Sequence, residues 1–408
     1  MSDFCAAEAS RCLLCKKPKC GLQGCPVHTP VPECMALYRQ GRVDEAAEML
    51  FQNNPLSAVT SLVCDWKQFC FGHCVLNVKN MPIHWYKVEQ EISGGYLSRV
   101  ILGRRDDSLL GRRIAIVGAG PAGIAAAVWL YQKGANVVMY DANPRMGGVL
   151  RYGIPAFRLE KGIVNEYERI LSVIEFRGGV EVAEVAPLAA EYDAVIVCAG
   201  AEKPAELHIP GDSAAIQALP FLKNPSAYSL GRRAIVIGGG NVAMDACRTA
   251  ARLGVETWVY YRKTFENMPA NPLEVEEAKS DGVQFKVFQA PVEVRSGGVV
   301  FCDCENVVPE DGGRVVTRII PGTEHFVECD TLITAISEKP EFLLLSGAEF
   351  GPDGWPVVAE NGLVAGFRNV YVAGDFRLGP KTVVEAVASA KIAVEAISTP
   401  LGAVELNG

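Results

Sequence analysis

Two glycine turns, set 120 residues apart, constrain this chain more than any other feature. Leu110 to Gly123 reads LGRRIAIVGAGPAG, and Leu230 to Ala243 reads LGRRAIVIGGGNVA. In each copy a Val- and Ile-rich run predicts a buried parallel strand, the glycines predict a tight turn, and the Ala-rich stretch beyond predicts a helix. A helix N-terminus reached through such a turn faces a pyrophosphate. The repeat therefore predicts two dinucleotide-binding units and an α/β class.

The candidate residues follow from that geometry. In the first copy Gly118, Gly120 and Gly123 make the turn, and Pro121 and Ala122 open the helix. The next predicted strand, Val137 to Asp141, ends in an acid where a ribose hydroxyl is usually bound; a solvated strand end is the plainer reading of Asp141. In the second copy Gly238, Gly240, Asn241 and Ala243 take the corresponding places, with Ala243 standing for the third glycine. Its matching strand ends Tyr261-Arg262-Lys263. No acid is there to repel a 2'-phosphate and two cations are available to pair with it, which favours NADPH over NADH, unless Arg262 is only a surface cation. Near the C-terminus a third segment, Val370 to Asp375, reads as a buried strand with an acid at its tip, followed by Gly379 to Thr382 and an Ala- and Val-rich helix. In two-dinucleotide flavoproteins such a segment returns to the first domain and its acid binds the ribityl chain, which nominates Gly374, Asp375 and Thr382.

The first ninety residues carry a different chemistry: Cys12, Cys15, Cys20, Cys25, Cys64, Cys70 and Cys74, followed by Glu89. Seven thiolates and a carboxylate are enough for two four-iron clusters, and CxxCxxxxC followed by Cys25-Pro26 is an iron–sulfur spacing. Zinc is the competing reading, since CxxC pairs also serve zinc ribbons. Three unequal cysteine groups and a carboxylate suit two structural zinc sites less well. Disulfides are disfavoured because the N-terminus shows no signal peptide and no stretch is apolar enough to span a bilayer, so a cytoplasmic, reducing setting is expected.

Cys5, Cys34, Cys198, Cys247, Cys302, Cys304 and Cys329 fall in apolar runs where cysteine acts as a small hydrophobe. Neither dinucleotide unit contains a CxxC, so dithiol chemistry beside a flavin is not expected. The five histidines are scattered singly. No catalytic acid–base residue is nominated, which suits hydride transfer between bound cofactors. The net charge of −8 argues against nucleic acid as a partner, and no membrane association is expected.

These residues together resemble the small, FAD-containing subunit of bacterial glutamate synthase and its relatives. Those relatives include the NADPH-binding subunit of bifurcating ferredoxin:NADP oxidoreductase and the FAD part of dihydropyrimidine dehydrogenase. The specific stretches are RCLLC at Arg11 to Cys15, GCP at Gly24 to Pro26, NPLSAVTSLVC at Asn54 to Cys64, MGGVLRYGIPAFRL at Met146 to Leu159, GGGNVAMDACR at Gly238 to Arg248, and MPA at Met268 to Ala270. The resemblance implies that Cys12, Cys15, Cys20 and Cys74 hold one cluster and that Cys25, Cys64, Cys70 and Glu89 hold the other. It also implies that Gly148, Leu150, Ile154 and Arg158 line the flavin. Two departures stand out: Asp65 replaces a usual proline, and Ser337 replaces a usual glycine.

The expected architecture is an α-helical domain with two 4Fe-4S clusters at 1–108, a discontinuous FAD domain at 109–222 and 341–408, and an NAD(P)H domain at 223–340. The expected function is oxidation of NAD(P)H by FAD, with electrons passing through both clusters to a second redox subunit, an FMN-bearing synthase or dehydrogenase. The alternatives are a stand-alone or bifurcating ferredoxin:NAD(P) oxidoreductase and, in another class, a zinc-bearing assembly subunit without catalysis.

Overall fold

The computed structural model describes residues 1–307 and 316–399; the parts of the two expected dinucleotide domains at 308–315 and 400–408 lie outside the described residues. The chain forms two compact units. One comprises Met1–Arg151, Ala156–Ala201 and the chain from Pro340 onward; the other comprises Tyr152–Pro155 and Glu202–Lys339. Parallel sheets in both units and helices before them bear out the α/β class.

In the first unit five parallel strands lie in the order Val370–Val372, Ala194–Val197, Arg113–Val117, Asn136–Asp141, Glu175–Gly178. The inner strands are Val- and Ile-rich because both of their faces are covered. The chain runs outward from Arg113–Val117 on one side and later returns to its other side. That reversal opens a crevice at the strand's carboxyl end, where the Gly118 turn lies. Pro121 starts the following helix, Pro121–Gln132, at a position where its missing N–H costs nothing. The Ala-rich face of this helix packs on the helix Val383–Ser398, which Thr382 and Glu385 start with a reciprocal capping box.

Gly118 is required by its surroundings. Its φ is +103°, and a Cβ there would lie 2.3 Å from the carbonyl oxygen of Cys198. Gly118→Ala is therefore expected to cost about 1–3 kcal/mol in backbone strain alone and to lose flavin, measured as a lowered melting temperature and a missing visible flavin band.

The N-terminal helices of the same unit close over a core that includes Met35, Tyr38, Leu50, Trp85, Val88 and Ile92. The end of the helix Val43–Asn53 and the turn just after it tie them to the sheet-flanking helices. Trp129 Nε1 donates to the Gln52 carbonyl at 2.9 Å, the Tyr167 hydroxyl donates to the Pro55 carbonyl at 2.9 Å, and Lys391 Nζ donates to Asn53 Oδ1 at 3.0 Å.

In the second unit the parallel order is Ile216–Gln217, Thr331–Thr334, Arg233–Ile237, Glu256–Tyr261, Gln284–Val287. An antiparallel sheet built around Gly298–Val307 is added to it. The long stretch of this unit runs from Glu202, and Ile216–Gln217 joins the edge of its sheet beside Thr331–Thr334. The entering and leaving chains pair as an antiparallel ladder, Lys203–Pro204 with Glu338–Lys339. Among the described residues no helix is long and apolar enough to cross a membrane.

Candidate functional site

Two cavities in the helical part of the first unit collect the cysteines. Cys12 ends the helix Asp3–Arg11, Cys20 lies in the short helix Lys19–Leu22, and Cys74 precedes the 3-10 turn Val75–Lys79. With Cys15 they line one cavity. Arg39 shapes this wall by donating to the carbonyls of Ala9, Ser10 and Cys12, which satisfies the end of the first helix and releases the chain into the loop. The second cavity is lined by Cys25, Cys64, Cys70 and Glu89. Cys70 and Trp85 face both cavities.

Glu89 reaches that wall by helical spacing. In Trp85–Leu97 the buried stripe is Trp85, Val88, Glu89 and Ile92, so a carboxyl sits where an apolar side chain would ordinarily pack. The residue is 8% exposed, and Gln90 is not in the cavity wall. Burial pushes the Glu89 carboxyl up to about 8, against a hydrogen bond from Trp85. Burial also raises the thiols of Cys25, Cys64 and Cys70, and the facing Glu89 raises each further, while Thr29 works the other way on Cys25, whose Sγ is 3.2 Å from Thr29 Oγ1. In the first cavity burial, helped by Cys74 and Cys12, takes Cys20 to about 12.

Soft thiolates are the ligands that iron–sulfur cores take, and a bound metal stabilises the deprotonated thiol. Among the described residues no three such side chains converge as a single-ion site; the cysteines are instead spread over the linings of the two cavities. The donor types fit two such cores: five cysteines line the first cavity, Cys70 among them, and three cysteines with a carboxyl line the second.

Of the flavin candidates, Gly148 and Gly374 meet the N-terminus of Pro121–Gln132. A Cβ on Gly148, whose φ is +49°, would lie 2.7 Å from Gly120 Cα, so the two loops meet backbone to backbone. The Gly147 N–H donates to the Ala119 carbonyl at 2.8 Å. Gly374 packs toward Ala122, and Asp375 begins the helix Asp375–Leu378. Asp141 is engaged by the protein itself: Oδ2 accepts from Ala119 N at 2.7 Å, and Oδ1 accepts from Asn143 N at 2.7 Å. Its carboxylate thus holds the glycine turn to the second strand, whichever ribose contact it makes. Leu150 is buried and Arg158 half-buried. Ile154, in Tyr152–Pro155, groups with the second unit.

In the second unit the glycine turn is held by the MPA segment. Ala270 N donates to the Gly239 carbonyl at 3.0 Å, and Asn271 N donates to Asn241 Oδ1 at 3.0 Å. Gly238 has φ +145°, with the Ala335 carbonyl 2.1 Å from any added Cβ. The Tyr261 ring lies against Gly239, and its hydroxyl donates to the Asn267 carbonyl at 2.8 Å. Arg262 follows at the strand tip and is exposed, with Lys263 half-buried beside it.

Sequence reasoning passed over Trp85, Trp66, Tyr86 and Val384, which help wall the second cavity, and Lys391. Trp66 and Tyr86 stack at 4.5 Å with their planes 6° apart. The buried stripe through Trp85 was a readable signal; the approach of Val384, some three hundred residues on in the chain, was not.

A chain that carries two dinucleotide turns and two cysteine-lined cavities has the parts of a flavin- and iron–sulfur-dependent pyridine nucleotide oxidoreductase. The comparisons agree. Residues 112–390 match the family model described as pyridine nucleotide-disulphide oxidoreductase, and residues 2–97 match dihydropyrimidine dehydrogenase domain II, 4Fe-4S cluster. The glutamate synthase [NADPH] small chain of Escherichia coli (strain K12) is 32% identical, over 96% of this chain and 90% of that protein. Its counterpart in Azospirillum brasilense is 31% identical, over 96% and 88%. The structure of FprA from Mycobacterium tuberculosis superposes with TM-score 0.62 at 22% identity, over 70% of this chain and 84% of that one, a likeness of fold. The chain belongs to the glutamate synthase small-subunit family. It is an FAD-dependent NAD(P)H oxidoreductase with 4Fe-4S clusters, and the zinc-bearing scaffold reading falls.

Proposed function

We propose that this chain is the electron-input subunit of a larger redox complex, taking electrons from NADPH and handing them to a second redox subunit that carries the synthase or dehydrogenase chemistry. When bound, FAD accepts a hydride from the nicotinamide and the iron–sulfur clusters carry its electrons away singly. The chain's own residues provide the order. Cys25, Cys64, Cys70 and Glu89 hold the inner cluster, and Cys12, Cys15, Cys20 and Cys74 hold the outer one.

One observation carries this order: Val384, two residues past the Thr382 cap in the flavin segment, forms part of the inner cavity's wall, and that cavity shares Cys70 and Trp85 with the outer one. The residues thus form a continuous series from flavin segment to outer loop. The glutamate synthase small chains, and the NADP(+)-dependent formate dehydrogenase subunit beta of Moorella thermoacetica at 30% identity, are by name subunits of larger enzymes, which supports a partner subunit here.

The test is anaerobic titration of the purified protein with NADPH, followed by visible and electron paramagnetic resonance spectra, alongside native co-purification. Bleaching of flavin and iron–sulfur bands with a second redox subunit in the preparation is expected. Flavin reduction that never reaches the clusters would overturn the path.

A further inference from the structure

The helix Val383–Ser398 has one cation, Lys391, in an Ala- and Val-rich run. Val384 of this helix lines the inner cavity, and Lys391 follows about two turns later on the same face. The helix packs on Ser57–Val63, which carries Thr60 and Ser61 of the cavity wall and leads into Cys64. Lys391 Nζ donates to Asn53 Oδ1 at 3.0 Å, and Asn54, the next residue, is itself in the cavity wall. That bond turns the Asn53 amide oxygen to the lysine and leaves Nδ2 buried without an acceptor among the described residues. Lys391 is half-buried and enters no ion pair among the described residues, so no paired carboxylate cancels its charge. Burial lowers its pKa, while the charges of Glu395 and Cys25 act the other way. The amine therefore lies within electrostatic range of an inner ligand.

We propose that Lys391, anchored by Asn53, is a tuning residue that raises the reduction potential of the inner cluster and so favours the first electron step off the flavin. The inference rests on the ligand set proposed above, Cys25, Cys64, Cys70 and Glu89, and adds a residue outside that set. In this step one electron leaves the reduced flavin and the cluster gains one negative charge. A fixed cation stabilises the reduced cluster over the oxidised one, and it does so more strongly through protein than through water. Potentials of iron–sulfur cores respond to local charge, hydrogen bonds and solvent exposure. Neither Val384 nor Asn54 lines the outer cavity, so the charge acts chiefly on the inner one. Packing alone gives no reason for the amine, because a methionine would fill the same helix face without the cost of burying a charge.

The experiment is a redox titration of the holoenzyme followed by electron paramagnetic resonance, with the signal lost in Cys25→Ala marking the inner cluster. Lys391→Met should lower the midpoint potential of that signal by the equivalent of about a tenfold fall in its one-electron equilibrium, roughly 59 mV. The midpoint of the other cluster should move much less. Lys391→Arg, which keeps the charge, should hold the wild-type potential. Asn53→Asp keeps an acceptor for the amine but cancels its charge, so it should lower the same midpoint, and it serves as the test where Lys391→Met fails to fold. A merely structural tie between Lys391 and Asn53 predicts a lower melting temperature with both midpoints unmoved. That result would overturn the proposal, as would equal shifts of the two clusters. Two cluster signals surviving in Cys25→Ala would instead overturn the ligand set on which it rests.

Discussion

Cys20→Ala and Cys25→Ala are each expected to lower iron from about eight to about four per chain, yet to divide the spectrum differently. With the outer ligand removed, NADPH should still reduce both FAD and the remaining inner cluster, and delivery to any partner should fall at least a hundredfold. With Cys25 removed, NADPH should reduce FAD alone while the outer cluster stays oxidised on the timescale of turnover. The asymmetry follows from Val384 standing in the wall of the inner cavity and not of the outer one. Rapid-mixing absorbance and iron analysis of the two variants check it. Identical spectra after NADPH addition would show that the clusters do not act in series. Stability offers a control, since the Cys25 thiol is held locally, with Sγ 3.2 Å from Thr29 Oγ1, and the flavin turn at Gly118 draws on a separate set of backbone contacts.

Parts of this arrangement were legible in the sequence because they are local. Gly118 and Gly238 announce themselves through the strand before and the helix after, and both adopt the positive φ that such turns require. The α/β class follows from the same pattern. The cysteine spacing conveys a metal chemistry, but the division of ligands between two cavities is a matter of how distant loops fold back, and only the family likeness suggested it. Glu89 illustrates the limit well. As one of two acids in Trp85–Leu97 it has no distinguishing neighbour in sequence, and only the helical stripe with Trp85, Val88 and Ile92 brings it to the wall.

Other features needed the fold outright. Ile216–Gln217 is too short to show a period, yet by pairing with Thr331–Thr334 it joins the sheet of the second unit, whose long stretch runs from Glu202. The antiparallel sheet around Gly298–Val307 carries a buried apolar run, Gly298 to Cys302, that names no role. At Asp141 the sequence indicates the residue type a ribose needs, while the structure adds that both carboxylate oxygens already accept backbone N–H groups. The acid is therefore also a fastener of the glycine turn. Lys391 was silent in sequence, being one cation in an Ala-rich helix; burial lowers its pKa, and its amine bonds Asn53.

Arg262→Ala is expected to raise the KM for NADPH about ten- to a hundredfold, the equivalent of roughly 1.5 to 3 kcal/mol for one charge-assisted contact, while the KM for NADH stays close to the wild-type value. The side chain is exposed at the tip of Glu256–Tyr261, the strand next to the one that runs into the Gly238 turn. By register Tyr261 takes the place that Asp141 holds in the first unit, and Arg262 follows one residue beyond it at the strand tip. An acid at that place accepts ribose hydroxyls, and a cation pairs with a 2'-phosphate. Lys263 beside it supplies a second charge, so Arg262→Ala/Lys263→Ala should lose more NADPH affinity than either single change. Flavin reduction at saturating NADPH should survive, because a contact to the 2'-phosphate is remote from the hydride and contributes equally to ground and transition states. Steady-state kinetics with both nucleotides decides the matter. An equal loss with NADH and NADPH would assign Arg262 to the surface and remove the structural basis for preferring NADPH.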